Sequence, residues 1–415
     1  MMTSGYTALD ENQPSGARKW LLFVGIILIA VNLRAGITSI GPLIGMIRDD
    51  TGISNTIIGM LTTVPLLAFA LLSPAAPVLS RRFGIETVLL SSMIVLTIGI
   101  WVRSISSPWT LMLGTALLGM AIAIGNVLLP SLVKRDFPRS IGLMTGTYSM
   151  TMNMLAAVAS GVSIPLASIP SLGWQGSLIV WSALSVLASM VWIFQVRRRA
   201  SVSGSNKIVT VAAKGGSIMK SKLAWQITLF MGLQSFTFYV NISWLPEILH
   251  SQGMDYSSAG WMLSILQFVS LPFSFIIPVL AGRRPNQVLL VLISAACMFT
   301  GYIGLLSGVQ SLNIVWVMLI GISGGANFSL SLMFFTLRTT SVHEAAALSG
   351  MAQSFGYLLA AIGPMLIGYM HDYTHSWSVP LMILSGVVVL MLIFGLGAAK
   401  PGYTSGAAKP VGPIS

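Results

Sequence analysis

Acid is scarce in this sequence. Ten of its 415 residues are Asp or Glu, and all charged residues together make up 8% of the chain. A water-facing surface needs a far larger charged share, so a soluble globular fold is excluded. Cysteine is nearly absent too: Cys297 stands alone in an apolar stretch, which rules out an internal disulfide. The four histidines, His250, His343, His371 and His375, fall at the ends of apolar stretches or between them. No G-x-x-x-x-G-K-[ST] occurs, so the chain has no P-loop with which to hydrolyse ATP. Short strands alternating apolar with polar are missing as well, which argues against a membrane β-barrel. Residues 1–17 are polar and include Asp10 and Glu11, and the apolar run after them is too long for a cleavable leader, so none is expected.

What is present is apolar length. Hydrophobic residues make up 55% of the chain, and the mean hydropathy is +0.86. The apolar stretches recur near the roughly 20 residues needed to cross a hydrocarbon core of about 30 Å. Lipid offers the backbone no hydrogen-bond partners, so such stretches read as helices. Twelve are predicted: 20–47, 54–80, 87–104, 109–133, 141–167 and 174–196, then 223–249, 257–281, 287–306, 312–337, 345–370 and 377–396. The fold class is therefore an all-α integral membrane protein. Its organisation is a tail (1–19), a six-helix half (20–199), a Ser-, Gly- and Lys-rich linker (200–222), a second six-helix half (223–399) and a second tail (400–415).

The net charge of +12 does not point to nucleic acid, because of where the charges sit. With the N-terminus cytoplasmic, all but Arg34, Arg48 and Arg103 of the 22 basic residues fall on the cytoplasmic side. That bias predicts a multi-pass protein of the cell membrane with both termini in the cytoplasm.

The two halves resemble each other. Trp174, Leu178, Ser182, Val186 and Leu187 match Trp377, Leu381, Ser385, Val389 and Leu390 at a shift of about 203. Gly146 and 155–157 match Gly350 and 359–361, Arg81-Arg82 match Arg283-Arg284, and Gly119 matches Gly321 at nearly the same shift. Ordered matches at a near-constant shift indicate duplication. Six helices per unit is an even number, so the repeats are parallel and enclose a cavity near the bilayer midplane.

This architecture resembles the major facilitator superfamily over nearly the whole chain. The loop Ser80-Arg81-Arg82-Phe83-Gly84 is similar to that superfamily's signature between its second and third helices. Arg81 stands where an aspartate is usual, and Ile85-Glu86 replaces a basic pair. Three further stretches resemble the cyanate-porter group, which includes cyanate and 2-nitroimidazole carriers. They are Asn32-Leu33-Arg34, the run Gly125-Asn126-Val127-Leu128-Leu129-Pro130 with Lys134-Arg135-Asp136-Phe137-Pro138, and Trp244-Leu245-Pro246. The resemblance implies a secondary carrier that works by alternating access.

Arg34 is the most informative residue. It lies 14 residues beyond Trp20, about 21 Å into the membrane at 1.5 Å per residue. A charge there costs at least about 2.5–3.5 kcal/mol, and all ten acids lie in termini, loops or span ends. Arg34 is therefore expected to anchor a small anionic or planar polar solute through its fork of donors. Anchoring the halves on Pro42 and Pro246 makes Phe238 its counterpart. Polar partners are expected from Asn32, Asn126, Tyr148, Tyr239, Gln267, Asn327, Gln353 and Tyr357. Gln234, Phe238 and Asn241 add a stripe at i, i+4 and i+7. Interhelical hydrogen bonding competes with the binding reading for each of these.

A gate is expected at the cytoplasmic loops, with Arg81 or Arg82 meeting Glu344 and Arg283 or Arg284 meeting Asp136 when that side is closed. Gly321-Ile322-Ser323-Gly324-Gly325 has the G-x-S-x-G spacing, but it falls within an apolar helix without a nearby base, so an intramembrane hydrolase is disfavoured. His371 and His375 have metal-like spacing but no further ligands, and no metal or cofactor is called for. The remaining readings are a carrier of neutral drugs or metabolites and, less favoured, a channel, for which a charged pore ring is missing. A monomer is expected. Driving force is left among proton coupling through Glu247 or His371, exchange for a counter-anion, and facilitated diffusion.

Overall fold

The computed structural model describes residues 16–52, 55–203 and 218–405. The start of the first tail, most of the linker and the end of the second tail lie outside the described residues. The first half contains α1 (Gly16–Thr38), a bent α2 (Asn55–Leu72 and Ala75–Phe83), α3 (Ile85–Arg103), α4 (Pro108–Asp136), α5 (Ile141–Ala167) and a two-part α6 (Gly173–Val180 and Ser182–Ser203). The second contains α7 (Lys222–Ser251), α8 (Tyr256–Gly282), α9 (Val288–Leu306), α10 (Asn313–Leu337), α11 (Val342–Thr374) and α12 (Ser378–Ala399).

Ten of these helices are long and apolar enough to span a membrane, and the α2 pair, bent by 54°, makes an eleventh. The bend falls at Ser73-Pro74, where proline interrupts the helical hydrogen-bond ladder. Helix α7 is the twelfth. Its 30 residues are long enough, but Gln226, Gln234, Ser235, Asn241 and Glu247 lower its hydropathy. Polarity that weakens a helix as a membrane span is what a cavity-lining helix needs.

Apolar side chains do not drive helices together in lipid, so packing rests on close backbone approach. Gly321 faces the Leu266 carbonyl of α8, where a Cβ would come within 2.6 Å of the oxygen, and Gly325 meets Ser270 of the same helix. These glycines join α8 to α10 within the second half. The other pair, Gly142 and Gly146, joins the two halves: Gly142 packs on Pro278 and Gly282, and Gly146 on Phe275. Large side chains such as Leu71, Trp109 and Met365 face outward, as expected where the solvent is lipid.

Helices α1, α3, α5, α7, α9 and α11 all start at one end of the bundle, here called the terminal end because α12 finishes there too. The halves meet at this end. Gly350 of α11 packs on Ser73 and Pro77 of α2. Ser354 donates to the Ala70 carbonyl at 2.5 Å. Asn153 of α5 donates to Ser274 of α8 at 2.9 Å, nearer the middle of both helices.

Candidate functional site

Arg34 sits in the last third of α1 and is half-buried. Its guanidinium carbon lies 4.8 Å from the centroid of the Phe238 ring and 4.6 Å from that of Phe328. Both rings come from the second half, from α7 and α10. The residue related to Arg34 by the duplication thus touches it across the interface between halves. Cation–π contact stabilises a guanidinium by about 0.5–2 kcal/mol per ring but takes up none of its N–H donors. Among the described residues, no group accepts a hydrogen bond or forms an ion pair with the Arg34 side chain. Tyr239 and Tyr357 lie within its electrostatic range.

A pocket between the halves lies beside this cation. Leu33, Asn126, Leu129, Tyr148 and Met152 line it from the first half, and Met231, Phe328, Leu332, Gln353 and Tyr357 from the second. Its walls are mostly apolar, with four polar side chains placed among them. Tyr148 is buried, and its hydroxyl lies near that of Thr145 one turn earlier, yet neither finds hydrogen-bond geometry. Gln353 donates one amide N–H to Ser349 at 2.9 Å, and its buried carbonyl oxygen is left without a partner. The Tyr357 ring packs on Phe69 at 4.8 Å.

The remaining expected site residues fall elsewhere. Gln234, Phe238, Asn241 and Asn327 line a second pocket enclosed by helices of the second half alone, with Phe238 as the wall toward Arg34. Asn241 accepts from Tyr302 at 3.1 Å. Asn327 accepts from Ser294 at 2.8 Å and donates to Ser323 at 2.9 Å. Gln234 donates to Ser235 at 2.7 Å. Asn327 is thus satisfied inside its own half, and Ser323 belongs to that network rather than to a nucleophile elbow. Asn32 donates back to the Leu28 carbonyl at 2.7 Å and is buried in its own helix. Gln267 is half-buried on α8 and lines neither pocket. Sequence reasoning missed Phe328, Met152 and Met231, whose residue types carry no signal in an apolar helix.

Arg103, expected at a span end, is fully buried. It donates to the Gly36 carbonyl at 2.6 Å and to Ser39 at 3.3 Å, and so caps the end of the helix that carries Arg34. At the terminal end, the contact between halves is not the one expected from the loops. Lys134, in the last turn of α4, donates to the Thr336 carbonyl and the Thr339 hydroxyl at 2.7 Å each, and also to the Thr339 carbonyl. Glu344 accepts from Thr340 and from Thr404 of the second tail, with Lys134 in electrostatic range. Asp136 is held by Arg135 at 2.7 Å, and the same guanidinium reaches Glu86 at 2.7 Å. Arg81, Arg82, Arg283 and Arg284 are exposed and make no ion pair among the described residues. The expected pairs Arg81/Arg82–Glu344 and Arg283/Arg284–Asp136 are therefore not made here. The halves approach through helix ends, and the acids are taken by nearer partners.

Arg135 and Arg338 are repeat partners at a shift of 203, and Glu86 and Gln287 at 201. Arg338 donates to Gln287, to the Ala398 carbonyl at 2.9 Å and to the Ala399 carbonyl at 2.8 Å. The same strut between the starts and ends of neighbouring helices is thus built twice, ionic once and neutral once. Burial among neutral acceptors lowers the Arg338 pKa to about 10.

Two parallel six-helix repeats around a pocket between them define a membrane carrier of small solutes. The chain belongs to the Major Facilitator Superfamily, whose family model matches residues 22–364. It is 47% identical to the transporter YycB of Bacillus subtilis (strain 168), over 92% of this chain and 94% of that one. It is 43% identical to the 2-nitroimidazole transporter of Escherichia coli (strain K12), over 93% and 97%. The cyanate transport protein CynX of the same strain is 24% identical over 89% and 96%. Among solved structures, the proton:xylose symporter XylE has the same fold, with a TM-score of 0.77 over 95% of this chain and 99% of that one, at 12% identity.

Proposed function

We propose that this carrier moves a small anionic or planar polar solute, cyanate-like or nitroimidazole-like, by alternating access, with Arg34 as its anchor. The observation that carries this reading is the state of the guanidinium: flanked by Phe238 and Phe328 and given no hydrogen-bond acceptor by the described residues. A half-buried cation left in that condition is completed by a ligand with acceptor atoms, and a guanidinium fork fits the two oxygens of a nitro or carboxylate group best. The apolar walls and two methionines of the adjoining pocket suit a flat ring. The relatives named for 2-nitroimidazole and cyanate transport support the same solute class.

The bias of Lys and Arg assigns the terminal end to the cytoplasm, so the arrangement described here is closed inward. The residues around Arg34 include no carboxylate or imidazole in either pocket. Exchange or facilitated diffusion therefore needs no group beyond those seen. Proton coupling would fall to Glu247 or His371, farther along α7 and α11.

The test is uptake into proteoliposomes of 2-nitroimidazole, cyanate and an aromatic carboxylate. A hydrogen bond to a charged group is worth about 1.5–3 kcal/mol, so Arg34→Ala is expected to weaken apparent affinity roughly tenfold to a hundredfold. Arg34→Lys keeps the charge, loses the fork, and is expected to fall between. Unchanged affinity in Arg34→Ala for every solute the wild type moves would end this reading.

A further inference from the structure

We propose that the pocket reads a second feature of its solute, a hydrogen-bond donor, through Gln353 and Tyr148. This deepens the reading of Arg34 as anchor and rests on it. One N–H of the Gln353 amide donates to Ser349, and the carbonyl oxygen, which can only accept, has no partner. The Tyr148 hydroxyl, buried and also without a partner, can accept or donate. Both residues line the pocket between the halves described above.

Burying two such groups unpaired is costly, and in a pocket a ligand can supply the missing partners. Cyanate and nitrate carry no donor and leave the Gln353 oxygen unsatisfied. A planar azole with an N–H satisfies it, and its ring nitrogen or nitro oxygen can accept from Tyr148. The spacing agrees. Gln353 lies four residues before Tyr357, which is in electrostatic range of Arg34, a separation of about 6 Å along α11 and close to the span of one substituted ring. Tyr148 belongs to α5 and Gln353 to α11, so a donor-bearing solute would also tie the two halves together at this level.

The experiment compares solutes that differ only in the donor. Binding to the purified full-length protein in nanodiscs is measured for 2-nitroimidazole and its N1-methyl derivative, and for imidazole-4-carboxylate and its N-methyl derivative. The pH is kept below that at which the ring N–H ionises, and cyanate and nitrate serve as donor-free anions. In the wild type the N–H member of each pair is expected to bind at least roughly tenfold more tightly. Gln353→Leu is expected to bring that ratio near one, Tyr148→Phe to weaken both members of a pair alike, and retained binding of the methylated members reports that the variants fold. Equal binding within pairs in the wild type overturns the proposal. So does a ratio that survives Gln353→Leu, binding by cyanate or nitrate alone, or no binding by any N–H member. Failure of the Arg34 reading looks different: Arg34→Ala would leave both members of a pair at wild-type affinity while the ratio persists.

Discussion

A guanidinium in contact with two phenyl rings keeps its N–H donors free. In the reading proposed above, the roles at Arg34 separate: the rings offset the cost of placing the charge here, and the N–H donors are left for a ligand. Replacing either ring should therefore weaken binding without abolishing it. Phe328→Leu and Phe238→Leu each remove one cation–π contact worth about 0.5–2 kcal/mol, an expected loss of about threefold to thirtyfold in solute affinity by calorimetry. An unchanged dissociation constant in both variants would mean that the rings only fill space. Arg34 was legible in the sequence because a charge far inside an apolar span is conspicuous, and Phe238 because the duplication pairs it with Arg34. Phe328 was not, since one phenylalanine among many reveals nothing until the rotation of α10 is known. Asn327, its neighbour, was conspicuous and turns out to be satisfied by Ser294 and Ser323. Its replacement by Ala is expected to lower thermal stability while leaving affinity at the wild-type value.

Along a helix, periodicity tells which residues share a face but not what that face meets. Gln234, Phe238 and Asn241 do share a face, yet the space they line lies within the second half. The i, i+4 glycines show the same limit. Gly142-x-x-x-Gly146 and Gly321-x-x-x-Gly325 look alike in sequence, but one pair joins the halves and the other joins neighbours within a half. Only the first pair lies on the surface between the halves, which the proposed alternating access would open. A methyl group at position 146 would come within 2.7 Å of the Phe275 carbonyl oxygen, closer than packing allows. Gly146→Ala is therefore expected to hinder closure of the terminal end. Its maximal transport rate should drop by roughly tenfold or more if the strain is worth at least about 1.4 kcal/mol, with solute affinity within about twofold of wild type. A rate equal to wild type would show that α5 and α8 do not need this contact in the cycle.

The whole molecule is a duplication whose copies have diverged where they do work. The strut between the start of the third helix of each half and the end of the fourth persists in both, as Arg135 with Glu86 and Arg338 with Gln287. Arg34 has no charged counterpart at the matching position of the second half, and aromatic rings answer it from there. At the terminal end the asymmetry recurs. Lys134, next to Arg135, reaches into the other half, whereas Arg338 stays in its own and caps α12. Composition and repeat made the architecture legible, but charges near helix ends have several partners within reach, and only packing selects among them. The selection of Lys134 leads to a definite expectation. Its ammonium gives three hydrogen bonds to the end of α10, and these exist only while the halves are together there. Lys134→Met removes them and leaves the Thr336 and Thr339 carbonyls open to water once the end parts. Hydrogen bonds from a charged group are worth about 1.5–3 kcal/mol, so the balance should move toward the state open at the terminal end by about tenfold or more. Spin labels at the exposed positions 139 and 286, in a Cys297→Ala background, report the distance across that end. The long-distance population should grow in Lys134→Met and return toward the wild-type distribution in Lys134→Arg, which restores a cationic donor. If the two distributions coincide in wild type and Lys134→Met, the closure is held by the α5–α8 and α2–α11 glycine contacts alone, and Lys134 is a bystander at the gate.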